Sequence, residues 1–171
     1  MNKQTIVPGR YQVVPRTLCF ITHGEDVLLL RGAPDKRIWP NQYNGIGGHV
    51  EADEDIYTAA RREISEETGL QVSQLILRGT INIPVKQSEQ ENTGIMVFVF
   101  SAQANSREAK PSEEGTLVWV GRDEIATLDL VEDLPVLIPL VLDHPPNAPL
   151  FHARYTYNDQ GQLVIALAKP A

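Results

Sequence analysis

Short apolar runs alternate with polar punctuation along this 171-residue chain, and their spacing predicts the elements. Thr17–Thr22 and Val27–Arg31 are two such runs, separated by His23, Gly24, Glu25 and Asp26, which predicts a β-hairpin. From Gly32 to Gly48 the pattern breaks into two prolines, four glycines, Trp39 and Tyr43, the composition of a loop that carries side chains to a site. A helix is expected from about Glu54 to Thr68, with Asp53 as its N-cap and Gly69 at its stopping place. Strands are expected at Leu75–Val85, Ile95–Ala102 and Leu117–Val120. Within the second of these, Ile95 to Phe100 is apolar at every position, as in a strand buried on both faces. A short helix near Arg122–Thr127, another near Asp133–Leu142, and a hairpin of Phe151–Tyr157 and Gln162–Leu167 complete the chain. With no repeat or long linker, the order predicts one α/β domain over residues 1–171 whose mixed sheet packs against helices.

The Glu54–Thr68 helix violates its own periodicity. Projected at about 100° per residue, Ile56, Ala59, Ala60 and Ile64 define an inner face, while Tyr57, Thr58, Arg61, Ser65 and Thr68 fall opposite. In the C-terminal half Glu63, Glu66 and Glu67 occupy the inner face. Acids spaced three and four apart repel one another, oppose the helix dipole in the last turn and lose hydration where partly buried. Arg62 stands four residues before Glu66 in the weaker orientation for a helical ion pair, so one cation offsets little of this cost. A cluster of oxygen donors without His or Cys suits a hard divalent cation, Mg²⁺ first and Mn²⁺ second.

Charge and cysteine content narrow the setting. Twenty-two acidic against fifteen basic residues give a net charge of -7, the wrong sign for gripping a nucleic-acid polymer through its phosphates. A small phosphorylated ligand is still allowed if a cation sits between it and the acids. Cys19 is the single cysteine and can form neither an internal disulfide nor a thiolate cage, which points to a reducing, cytoplasmic setting. The first fifteen residues lack the apolar core of a signal peptide, and Leu134–Leu142 falls short of the roughly 20 residues that span a bilayer, so no membrane role is expected.

The spacing Gly48, five residues, Glu54, seven residues, then Arg62-Glu63-Ile64-Ser65-Glu66-Glu67-Thr68-Gly69-Leu70 resembles the complete Nudix box of the Nudix hydrolases, here residues 48–70. The resemblance implies a mixed sheet sandwiched between helices and metal-dependent hydrolysis of a nucleoside diphosphate linked to another group. It implies Glu63, Glu66, Glu67 and the Gly48 carbonyl as metal ligands. Glu66 or Glu67 would activate water, and Arg62 would join Glu54 in a salt bridge that orients helix and loop. The approach Trp39-Pro40-Asn41-Gln42-Tyr43-Asn44-Gly45-Ile46-Gly47-Gly48, with Pro139–Leu142 and Phe151–Tyr155, resembles the MutT-type branch that hydrolyses oxidised purine nucleoside triphosphates. That likeness assigns Asn44 and the acidic pair Glu132 and Asp133 to the base, and Glu114 to an added ligand or base role. Leu130 and Val131 stand where the branch often has a Trp. Asn44 either pairs with a base or steadies a turn with Gly45, and Trp39 either stacks on a base or anchors the loop.

Three functions follow for comparison. The leading one is a cytoplasmic pyrophosphohydrolase of nucleoside triphosphates, such as 8-oxo-dGTP in nucleotide-pool sanitation. The second hydrolyses a diphosphate conjugate such as ADP-ribose or a dinucleoside polyphosphate. The third is a non-catalytic nucleotide sensor, a class that commonly loses box carboxylates; none is missing here.

Overall fold

Residue-by-residue alternation in the first two strands feeds two different cores. In a computed structural model that describes residues 7, 9–85 and 92–168, β1 (Gln12–His23) turns back into β2 (Asp26–Gly32). Phe20, Val27 and Leu29 face one layer, whereas Cys19, Ile21, Leu28 and Leu30 face the other, as the two-residue period of a strand dictates. The order continues through β3 (Tyr43–Asn44), α1 (Ile56–Thr68), β4 (Val72–Val85), β5 (Thr93–Ala104) and β6 (Gly115–Gly121). A 3-10 turn at Ile125–Thr127, α2 (Leu134–Leu142), β7 (Phe151–Tyr157) and β8 (Leu163–Leu167) follow.

All eight strands join one sheet in the order β3-β2-β1-β5-β4-β7-β8, with β6 paired to β2. The β1–β5 and β4–β7 pairs are parallel and the others antiparallel, so the sheet is mixed. Ala60 and Ile64 of α1 close the core that holds Cys19 and Phe100, while Leu134, Leu137, Ile138 and Val141 of α2 close the one that holds Phe20 and Val99. This is the helix, sheet, helix sandwich expected from the sequence.

Several boundaries differ from expectation for identifiable reasons. The cap of α1 is Asp55 and not Asp53: its carboxylate accepts from the Tyr57 and Thr58 amides at 2.8 and 3.1 Å, so the helix opens at Ile56. Gly69 ends it as expected, in the left-handed conformation (φ 68°). Thr68 is buried, although its helical angle points outward, because its hydroxyl bonds back to the Ile64 carbonyl and the Lys110 amide covers its own carbonyl. The run Ile95–Phe100 is buried on both faces only at Val99 and Phe100; Ile95 to Phe98 are half-buried, and Val97 among them lines an open cleft. Near Arg122–Thr127 only the 3-10 turn forms.

One irregularity positions the site. β1 and β2 pair directly only through Ile21–His23 and Asp26–Leu28, next to their turn. Beyond that the segment from Tyr43 to His49 runs between them: Tyr43 and Asn44 pair with Arg31 and Leu30, Ile46 bridges Cys19, and His49 bridges Arg16. The Asn-Gly-rich stretch is therefore a wedge inside the sheet, and it delivers Gly48 to the C-terminal half of α1.

Candidate active site

Arg62 organises the box. Its guanidinium has five N–H donors, and five acceptors surround it. Nε and Nη2 bind the Glu54 carboxylate at 3.1 and 2.6 Å, Nη2 also reaches the His49 carbonyl at 2.9 Å, and Nη1 contacts Glu63 at 2.8 Å and Glu66 at 3.1 Å. The fork thus ties the helix, the residues before it and the wedge together, and hydrogen bonding to Arg62 holds the Glu54 carboxyl below its ordinary range. Glu66 does not share the burial of Glu63 and Glu67. It lies at the margin of the inner face, about 100° from the direction marked by Ile56, Ala60 and Glu67, and its side chain is 62% exposed.

Glu67 is the box carboxylate that enters the interior. It is 8% exposed, and its Oε2 is buried with no hydrogen-bond partner. Burial, followed by the nearby charges of Glu114 and Glu63, pushes its pKa up to about 8. Gly48 faces Glu63 so closely that a Cβ there would stand no more than 2.7 Å from any atom of the carboxyl group. Its carbonyl accepts from the Thr17 amide at 2.8 Å. Cys19 lies beneath, its thiol pushed well above the ordinary range by burial and by Glu67 and Glu63, which makes it an inert core residue.

A cleft of about 470 Å³ opens beside these groups, within the range of small-molecule sites. Glu67, Gly47, Gly48, His49, Glu114 and Lys36 line it together with Asn44, Trp39, Val131, Asp133 and Tyr155 and the apolar Leu18, Val97, Ile81 and Ile83. Glu114 is brought in by the loop before β6, where Lys36 Nζ binds it at 2.6 Å and the Ala33 amide donates to its carbonyl at 3.2 Å. That loop is fastened by the Trp119 indole to the Arg107 carbonyl at 3.0 Å. The Asn44 amide oxygen accepts from the Gly45 amide at 2.8 Å, so it holds the turn and keeps its NH₂ donors. Trp39 is 46% exposed at the rim.

The acidic pair is divided. Asp133 lines the cleft, whereas Glu132 lies outside the lining and accepts from the Tyr157 hydroxyl at 2.6 Å. Burial raises Asp133 to about 6. Sequence reasoning missed Arg16, Lys36, Arg37 and Tyr155 as cleft residues. A signal existed for Arg16, a charge in a strand otherwise apolar from Leu18 to Ile21. Its Nε is buried without a partner.

These residues fit a divalent cation by donor chemistry. The set is all oxygen, Glu67 holds an orphaned buried carboxylate atom, and Gly48 leaves room for Glu63 that any side chain would fill. Among the described residues no group of three or more His, Cys, Asp or Glu side chains is gathered tightly enough to cage an ion, because Arg62 draws Glu63 and Glu66 toward itself. No helix among the described residues is long and apolar enough to cross a membrane.

The family profile described as NUDIX domain matches residues 13–141, and the chain belongs to the Nudix family, hydrolases of phosphoric anhydride bonds that generally use divalent cations. Particular relatives are informative. The chain is 30% identical over 148 residues to an oxidized purine nucleoside triphosphate hydrolase of Mus musculus, covering 86% of this chain and 89% of that one. A protein of the same name from Danio rerio is 32% identical over 126 residues, covering 74% and 78%. Among solved structures, a MutT protein from Bacillus halodurans superposes with a TM-score of 0.73 at 26% identity, over 92% of this chain and 100% of that chain.

Proposed function

We propose that the protein is a metal-dependent pyrophosphohydrolase that cleaves a purine nucleoside triphosphate, oxidised forms such as 8-oxo-dGTP included, to the monophosphate and pyrophosphate. The observation that carries this reading is that one cleft is lined by Glu67, Gly48 and Glu114 and by Asn44 and Asp133, together with the apolar Leu18, Ile81, Ile83 and Val97. A flat heterocycle suits the apolar lining, and Arg16, Lys36 and Arg37 in the same lining suit a polyphosphate. The names of the Mus musculus and Danio rerio relatives support the same substrate class.

Mg²⁺, or Mn²⁺ in its place, would be held by Glu63, Glu66, Glu67 and the Gly48 carbonyl, and when bound supplies charge neutralisation of the phosphates and a more acidic water. The rest falls to the chain's own groups. Arg62 fixes the directions of Glu63 and Glu66. Glu67 and Glu114, two of the carboxylates that line the cleft, serve to accept the proton of the attacking water, while Arg16 and Lys36 stabilise charge on the departing pyrophosphate. Asn44 and Asp133 offer donors and an acceptor to a base edge.

The test is a panel of canonical and oxidised nucleoside triphosphates together with ADP-ribose and dinucleoside polyphosphates, each with Mg²⁺ and with Mn²⁺, and with products separated. Pyrophosphate release from purine triphosphates is expected. Cleavage confined to the diphosphate conjugates, giving nucleoside monophosphate and a sugar phosphate, would replace this reading.

A further inference from the structure

The second helix carries no polar side chain on any face. Its sequence, Leu-Pro-Val-Leu-Ile-Pro-Leu-Val-Leu, buries Leu134, Leu137, Ile138 and Val141 but leaves Pro135, Val136 and Pro139 exposed, Val136 at 47%. A helix that is apolar all round belongs in an interior, so the uncovered side of α2 marks an interaction surface. Pro135 and Pro139 on that side also line a groove of about 440 Å³, which shares no lining residue with the catalytic cleft. Ile138 of α2, and Ala126, Leu128 and Leu130 of the segment before it, supply more of the apolar lining.

Charge around the groove selects its occupant. From Gly121 to Leu150 six acids stand against one arginine and no lysine. Asp129 and Asp143 lie in the lining itself, and Asp123 and Glu124 are exposed next to its Arg122 and Ile125. Arg122 is committed to Asp143 at 2.8 Å, whereas Asp129 accepts from the Gln42 side-chain amide at 3.1 Å and has no cationic partner among the described residues. A second copy docked about a two-fold axis would set this acidic surface against itself. Anionic bilayers and nucleic acids carry the same sign and are repelled. The face is complemented by apolar side chains flanked by cations. Its helix is about 13 Å long, which matches about two turns of a partner helix laid along it, enough for apolar anchors at i, i+3, i+4 and i+7. We infer that the α2 groove docks a basic amphipathic helix of a partner protein. This surface lies apart from the catalytic cleft, so the inference does not depend on which nucleotide is the substrate.

The test is fluorescence anisotropy of the full chain with labelled model peptides of about 14 residues. One has leucine at i, i+3, i+4 and i+7 and lysine on its other face, a second replaces lysine by glutamate, and a third keeps the lysines but scrambles the leucines off the helical period. The first is expected to bind at least about tenfold more tightly than either of the others, and to weaken as salt is raised. Ala126→Phe fills the groove from an exposed lining position. It is expected to weaken the basic peptide about tenfold while nucleotide hydrolysis stays within about twofold of wild type, and Asp129→Asn to weaken it about threefold. Failure of the basic amphipathic peptide to bind, or equal binding of the glutamate or scrambled peptide, overturns the inference. So does a dimer in sedimentation that Ala126→Phe abolishes, which gives the face to a second copy. Flotation with phosphatidylglycerol vesicles that the same substitution abolishes gives it to a membrane and likewise overturns it. The peptide comparison is made on wild type and decides the matter whether or not either variant folds.

Discussion

Gly48→Ala isolates the part of the site that depends on close approach. In the structure a Cβ at this position would lie within 2.7 Å of every atom of the Glu63 carboxyl, and ordinary van der Waals contact begins at 3.4 Å, so the group must retreat by at least about 0.7 Å. It cannot swing freely, since Arg62 Nη1 holds it at 2.8 Å and the same guanidinium is committed to Glu54, Glu66 and the His49 carbonyl. A misplacement near 1 Å at a catalytic centre costs about 10²-fold in rate, equivalent to about 2.7 kcal/mol of transition-state stabilisation. The assay is kcat for the preferred nucleotide at saturating Mg²⁺, with a thermal melt to confirm folding. Because the added methyl acts through Glu63, the Gly48→Ala/Glu63→Gln double variant should be no slower than Glu63→Gln alone. A Gly48→Ala enzyme within twofold of wild type, or additive losses in the double variant, would refute the reasoning.

Other expectations concern charge. Arg62→Lys substitutes a point charge for a fork that makes five bonds, so kcat should fall by about 10²-fold while circular dichroism still reports the helix. Arg16→Gln removes a cation beside the polyphosphate path and should raise KM about tenfold with kcat within about threefold, as initial-rate kinetics will show. Asp133 supplies a pH signature: its folded pKa of about 6 lies above the ordinary 3.8, so the stability it contributes is complete below about pH 4 and is lost as pH rises through 6. The upper bound on that loss is about 3 kcal/mol. Asp133→Asn should therefore melt progressively higher relative to wild type between pH 4 and pH 7, and a constant difference over that range would contradict the assignment.

The sequence displayed elements whose cause is local. The hairpin of β1 and β2, the carboxylate-bearing helix and the Gly69 stop all follow from apolar period and turn chemistry, and the box spacing located Arg62 beside Glu54. What stayed hidden depends on partners distant in sequence. Periodicity shows that Cys19 and Phe20 face opposite ways, but not which core each joins. Asp53, Glu54 and Asp55 are all acidic, so composition could not choose the cap, and only backbone geometry selects Asp55. The helical projection placed Glu66 with Glu63 and Glu67, yet it could not show that the face narrows to leave Glu66 exposed. Asp133 at the start of α2 and Tyr155 on β7 line the same cleft although they stand on different elements, which nothing near either residue announces. The wedge from Tyr43 to His49 read as loop because its bridges reach Cys19 and Arg16 more than twenty residues earlier.

The central claim is that Glu67, the buried box carboxylate lining the cleft, serves hydrolysis of a nucleoside triphosphate at the α-β linkage. Product-resolved turnover of the preferred purine triphosphate by wild type and by Glu67→Gln tests it most directly, with nucleotide affinity measured on the same samples. The account predicts monophosphate and pyrophosphate from wild type, and at least about 10²-fold slower turnover by Glu67→Gln with nucleotide still bound. Orthophosphate and nucleoside diphosphate as the products, or a Glu67→Gln enzyme within tenfold of wild type, would contradict it.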